Sequence, residues 1–305
     1  MVTGAAVRLT GSGLGCPSWP NCEEGSLAPR DATDAAGMVE FGNRLVTGVV
    51  GLFTIAAVYG AKRRRPFRAD LYRWSWGLPA WVMGNALVGA LVVWVHLAPV
   101  SVIGHFLLSL GALWNALVLY SKAREPDPAD AVAEAEPAEP RATAVPAVVR
   151  GCQALLVAAA VALITGTLVT GSGPHAGDED AERLGFDISH ITRIHGIAVV
   201  AFLALTLAVL WRAGKGDTGP EVQRRLRLLV TVIVAQATVG YVQYFNDVPA
   251  LLVGMHVLGA ATVWLATLWV NLGLSEPAGE PVTEPVTKPV TEAVAPPALI
   301  SHRAN

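Results

Sequence analysis

Apolar residues run almost unbroken through seven stretches of the chain, about 38–61, 74–96, 100–121, 148–171, 189–211, 226–246 and 250–273, with the charged residues falling between them. Each stretch approaches or exceeds the ~20 residues needed to cross a hydrocarbon core. Backbone groups in lipid have no water to bond, so these lengths predict self-satisfied helices. The expected fold is an all-α polytopic membrane protein. Basic residues crowd alternate loops: Lys62, Arg63, Arg64, Arg65, Arg68 and Arg73, then Lys122, Arg124, Arg141 and Arg150, then Arg212, Lys215, Arg224, Arg225 and Arg227. Lys and Arg mark the cytoplasmic side. The N-terminal segment, the turns near Ala98 and Asp247 and the acidic stretch 178–187 are then outside, and the C-terminus is inside.

The pattern is duplicated. Asn85-Ala-Leu-Val-Gly89 and then His105 recur as Gln236-Ala-Thr-Val-Gly240 and then His256, at one spacing. Val2-Thr-Gly-Ala-Ala-Val-Arg-Leu-Thr-Gly-Ser-Gly likewise resembles Ile164-Thr-Gly-Thr-Leu-Val-Thr-Gly-Ser-Gly, which closes the 148–171 stretch. The repeat predicts two four-helix bundles, eight spans in all, of which seven are complete here and the first is truncated. The expected organisation is an N-terminal half-bundle 1–121, an Ala/Pro/Glu-rich cytoplasmic linker 122–147, a C-terminal half-bundle 148–274 and a disordered cytoplasmic tail 275–305. The tail repeats Pro-Val-Thr and contains too little apolar surface to fold.

Composition agrees with a bilayer setting: 53% of residues are apolar, 15% are charged, and the net charge of −2 gives no reason to expect nucleic acid. Trp74, Trp76, Trp81, Trp94, Trp211 and Trp269 lie near the ends of stretches, where indoles favour the membrane interface.

Ionisable groups at membrane depth are costly and point to function. His105, His195 and His256 all fall in the outer third of their stretches, with Gly104 and Gly196 adjacent to the first two and Gly254 two residues before the third. Imidazoles on facing helices of a bundle are a common way to hold haem iron. His195 with His256 is the pair expected to do so; interhelical hydrogen bonding is the structural alternative. By the repeat, Asn43 stands where His195 does, so His105 is expected to act as a single ligand in the first half, or with His96. Glu40 shares a helix face with Asn43 and is a candidate proton carrier, or else a partner for Arg44 or Arg8. Cys16 and Cys22 lie in an outer, oxidising loop, where a disulfide is plausible, either bracing the loop or, as an exposed bridge, exchanging electrons. Cys152 reads as packing. Asn43, Arg44 and Arg8 are candidate substrate-pocket residues, and Arg8 and Arg193 are candidate anchors for tetrapyrrole carboxylates.

In order along the chain, Val-Arg-Leu-Thr-Gly-Ser-Gly-Leu-Gly-Cys-Pro-Ser-Trp-Pro-Asn-Cys, Val-Glu-Phe-Gly-Asn-Arg, Gly-His105, His195-Gly and Met-His256-Val resemble haem A synthase of the CtaA type, from Val2 to about Leu274. The resemblance implies oxidation of a haem O methyl to a formyl group, giving haem A for cytochrome c oxidase. It implies haem b on His195 and His256, substrate haem O at His105 and Glu40, and activity-linked cysteines at Cys16 and Cys22. Haem O synthase and cytochrome c oxidase assembly factors are the implied partners, in the plasma membrane, and a homo-oligomer is a candidate assembly. Many members have histidine where Asn43 stands, and there is no second cysteine pair after Gly173. A b-type cytochrome relaying electrons from quinol without changing a haem is the alternative; a transporter ranks last.

Overall fold

The computed structural model describes residues 1–127, 146–216 and 218–274. Most of the expected linker (128–145) and the tail (275–305) lie outside the described residues. Eight helices follow one another among those described: α1 (Val2–Leu9), α2 (Ala35–Arg63), α3 (Ala69–Trp94), α4 (Pro99–Arg124), α5 (Pro146–Ser172), α6 (Ile188–Gly214), α7 (Pro220–Phe245) and α8 (Ala250–Gly273). The last seven are long and apolar enough to span a membrane. The protein is an all-helical, multi-pass membrane protein.

The helices overrun the apolar stretches at their basic ends. α7 begins at Pro220 rather than near 226 because Glu221 faces Arg224 and Arg225 one turn later, at 2.8 and 2.7 Å, so the polar turn still satisfies its own charges. At that same end Arg68 is buried and bonds Asp70 at 2.8 Å, while Arg64 reaches Asp127 at 2.7 Å. α3, by contrast, stops at Trp94, so His96 lies in the following turn and not at the helix end that the apolar pattern predicts.

That turn carries the duplication into the backbone. His96 and Leu97 both have positive φ (50° and 61°), and so do Asp247 and Val248 (57° each). Each pair is closed by the same bond from the second residue to a carbonyl five residues back, Leu97 N–H to Val92 C=O at 2.8 Å and Val248 N–H to Gln243 C=O at 2.9 Å. Side-chain-bearing residues rarely adopt this conformation; two in succession, twice, mark a turn held by its surroundings. Leu97 supplies part of that hold, being buried against Ala176 and Ala181 of the loop after α5.

The helices pair as α3 with α4, α5 with α6 and α7 with α8, and α4 lies against α5 and α8 to join the halves. Small residues at these seams let helices approach, the general rule where lipid is as apolar as the side chains. The largest core, in the second half, is built on Phe202, Leu155, Leu226, Leu229, Ile233 and Val270, all at or below 2% exposure. A directional bond crosses between the halves: Trp264 Nε1 donates to the Leu110 carbonyl at 3.1 Å.

Candidate functional site

α4, α6 and α8 all start at the end of the bundle that carries loops 10–34 and 173–187. His105, His195 and His256 come six or seven residues after those starts. At 1.5 Å per residue all three lie about 10 Å below that end. The turns and the helix caps thus bring the histidines to one depth.

His195 and His256 face each other, ring centroids 6.4 Å apart and planes at 80°. Two imidazoles bonded to one metal ion at about 2 Å, each through a nitrogen about 1 Å from its ring centre, have centroids about 6 Å apart. The pair therefore has the separation expected of two imidazoles that share one ion. Among the described residues no group of three or more His, Cys, Asp and Glu could hold a bare metal. Two ligands suffice for an ion whose other positions belong to a macrocycle. His195 Nδ1 lies 3.2 Å from Thr165 Oγ1, and that hydroxyl is 2.9 and 3.0 Å from the Val161 and Ala162 carbonyls. With the hydroxyl proton on a carbonyl, its oxygen accepts from Nδ1–H and Nε2 is left as the ligating lone pair. The Nδ1 atoms of His105 and His256 are buried without a hydrogen-bond partner.

The glycines that meet these rings are not their neighbours in sequence. A Cβ at Gly104 or Gly196 would meet nothing, and one at Gly254 would meet Leu9. Instead each ring edge rests on a glycine of the adjacent helix. Measured from an added Cβ, His195 Cε1 is 3.0 Å from Gly166, His256 Cε1 3.0 Å from Gly240 and His105 Cε1 3.4 Å from Gly89. Gly89 and Gly240 were legible from the repeat. Nothing local marks Thr165 and Gly166, although Val2-Thr3-Gly4 echoes their segment. Of the repeated amides only Gln236 reaches a histidine's backbone, its Nε2 donating to the His256 carbonyl at 2.8 Å; Asn85 donates to the Trp81 carbonyl, and Ser109 Oγ lies within 3.0 Å of both Asn85 Oδ1 and the His105 carbonyl.

A second cluster closes the same end of the bundle. Cys16 and Cys22 form the expected disulfide, with Cα atoms 4.3 Å apart, and both are fully buried, as the bracing alternative requires and an exposed bridge does not. Glu40 reaches into this loop. Its Oε2 accepts from Cys16 N–H at 2.7 Å, and its Oε1 accepts from Arg44 at 2.6 Å. Arg44 also donates to the carbonyls of Cys16, Ser18, Pro20 and Asn21. The structure thus ties Arg44, expected at a substrate pocket, to the cysteine loop, and of Glu40's two expected partners it selects Arg44. At the far side of the loop the Thr33 hydroxyl and amide hold the Asp31 carboxyl below its usual range.

The remaining candidates are dispersed. Arg8 Nη2 donates to the Thr170 carbonyl at 2.7 Å, its Nε is buried without a partner, and the side chain lines a 10 Å³ cavity with Leu97 and Glu182. Arg193 and His96 are exposed, and the Asn43 carbonyl accepts from Thr47. Cys152 is wholly buried in the second-half core, consistent with packing.

The family model for COX15-CtaA, described as cytochrome oxidase assembly protein, matches residues 1–268. The chain belongs to this family. Among curated relatives it is 35% identical over 96 residues to a protein named heme A synthase from Geobacillus thermodenitrificans, covering 31% of this chain and 29% of the relative. Over 112 residues it is 33% identical to heme A synthase of Lysinibacillus sphaericus, covering 36% and 34%. Over 91 residues it is 37% identical to heme A synthase of Symbiobacterium thermophilum, covering 30% and 29%. The matched region thus spans about a third of each of these relatives.

Proposed function

We propose that this protein is a haem A synthase, oxidising the C8 methyl of haem O to a formyl group. Two successive two-electron hydroxylations of the methyl carbon, each with an external oxidant as electron acceptor, give a geminal diol that loses water to leave the aldehyde. The observation that carries the reading is the His195–His256 pair, spaced for axial ligation in a member of this family. His195 and His256 are assigned as ligands of haem b, which supplies one-electron transfer when bound. His105 is assigned to the substrate haem O, with Asn43 in place of an opposing ligand. Glu40 is the proton carrier, held at the Cys16 amide and Arg44, and Arg8 lines the outer rim. The disulfide orders the loop that presents Glu40.

In this assignment residues 1–121 form the substrate half and 148–274 the haem b half, joined by 122–147, with the haem sites towards the outer face of the plasma membrane and the C-terminus in the cytoplasm. Haem O synthase and cytochrome c oxidase assembly factors are the expected partners, along with further copies of the chain. The test is expression in cells that make haem O, then chromatography of the extracted haems. Haem A beside haem b, with haem A lost in Glu40→Gln and His105→Ala while haem b remains, is the expected result. Haem b alone in fully loaded wild-type protein would replace this reading with an electron-relaying b-type cytochrome.

A further inference from the structure

The two histidines that face each other are held unequally. His195 has a hydrogen bond from its Nδ1 to Thr165 and a close edge contact with Gly166 on the same helix, α5. His256 has an edge contact with Gly240 on α7, and its Nδ1 is buried without a partner. A Cβ at either glycine would lie 3.0 Å from Cε1, so a methyl there requires the ring to turn or the helices to part. Gly89 makes the looser 3.4 Å contact with His105, which an added methyl tolerates.

We propose that Thr165, Gly166 and Gly240 are positioning residues that fix the near-perpendicular setting of the His195 and His256 imidazoles and the tautomer of His195. The proposal rests on the assignment of haem b to this pair. A ligand's outer-shell hydrogen bond fixes its tautomer and raises its basicity. Thr165 therefore makes His195 the stronger donor to an oxidised iron, and the contact at Gly240 sets the plane of its partner. The ring at His256, whose Nδ1 has no partner in full hydrogen-bond geometry, is the one that an added methyl turns most.

The test uses purified, haem-loaded protein, read by low-temperature EPR of the oxidised state and by redox titration. Perpendicular axial imidazoles give a strongly anisotropic low-spin signal with one large g-value, whereas parallel ones give a rhombic signal. Gly240→Ala is expected to shift the signal towards the rhombic form, and Gly166→Ala to do so less. Thr165→Val should raise the midpoint potential, because losing the hydroxyl acceptor leaves Nδ1–H with the Ala162 carbonyl alone and weakens the ligand, and Thr165→Ser should restore it. Gly89→Ala should leave the haem b spectrum unchanged. Wild-type signal and potential in fully loaded Gly240→Ala and Thr165→Val would overturn the proposal while leaving haem b binding intact. Wild-type protein with no bis-histidine low-spin signal would overturn both. Should the glycine variants fail to fold, the Thr165→Val and Thr165→Ser pair decides.

Discussion

Replacing Arg44 by alanine removes five hydrogen bonds at once, four to carbonyls of the cysteine loop and one to Glu40. The pair is well shielded, with side-chain exposures of 18% for Arg44 and 7% for Glu40. Breaking a buried ion pair by removing one partner costs about 3–5 kcal/mol, because the other charge is left unpaired. Glu40 keeps the Cys16 amide as a donor, which places the expected loss at the lower end, about 3 kcal/mol. The loss falls on a loop whose other anchors include the Gly13 amide on the Gly177 carbonyl of loop 173–187, so it should appear first as local opening. At 1.4 kcal/mol per decade, the opened fraction rises about 100-fold. The assay is the rate at which a dilute water-soluble thiol reduces Cys16–Cys22, followed by labelling of the freed cysteines, with thermal unfolding in detergent alongside. Arg44→Ala should speed reduction by about two orders of magnitude in the open-state-limited regime. Adding Glu40→Gln should recover part of the loss by removing the stranded charge. Unchanged reduction kinetics and unchanged melting in Arg44→Ala would refute the view that this arginine holds the loop.

Asp247→Gly should stabilise the protein by about 1 kcal/mol, since glycine adopts positive φ without steric penalty, whereas Leu97→Gly should destabilise it because the buried leucine side chain is worth about 2 kcal/mol; melting temperatures of the two variants should move in opposite directions. Phe202→Ala, at a position only 1% exposed, should cost about 3–5 kcal/mol, read from the denaturation midpoint. Trp264→Phe deletes the bond to Leu110 and should lower stability by about 1 kcal/mol, read from the melting temperature in detergent.

Much of this architecture is legible in the chain because it is written twice. The seven spans follow from runs of apolar residues, and the common depth of His105 and His256 follows from the register they share with Gly89 and Gly240. What was not legible are contacts between helices far apart in sequence. Gly166 meets His195 across 29 residues, and nothing local distinguishes it from Gly196, which touches no ring. The Cys16 amide on Glu40 depends on how loop 10–34 folds back, a path with no periodicity to read. Arg44 stood closer to view: it follows Glu40 by four residues, on the same helix face, and that spacing favours the pairing found. Helix ends were misplaced where charged residues continue the helix, as at Glu221 and Arg225, because hydropathy registers the charges and not their mutual satisfaction.

The paired left-handed turns at His96-Leu97 and Asp247-Val248 have an evolutionary corollary. Each fixes the number of residues between one helix and the next, and one inserted or deleted residue would rotate everything beyond it by about 100°. His105 or His256 would then point away from the glycine that receives it. The side chains of these two turns differ, histidine against aspartate and leucine against valine, while their length does not. Loops 10–34 and 173–187, which precede α2 and α6, differ in length by ten residues. Length variation among descendants of the original duplication is therefore expected to accumulate in those loops and to be nearly absent from the turns that aim the histidines.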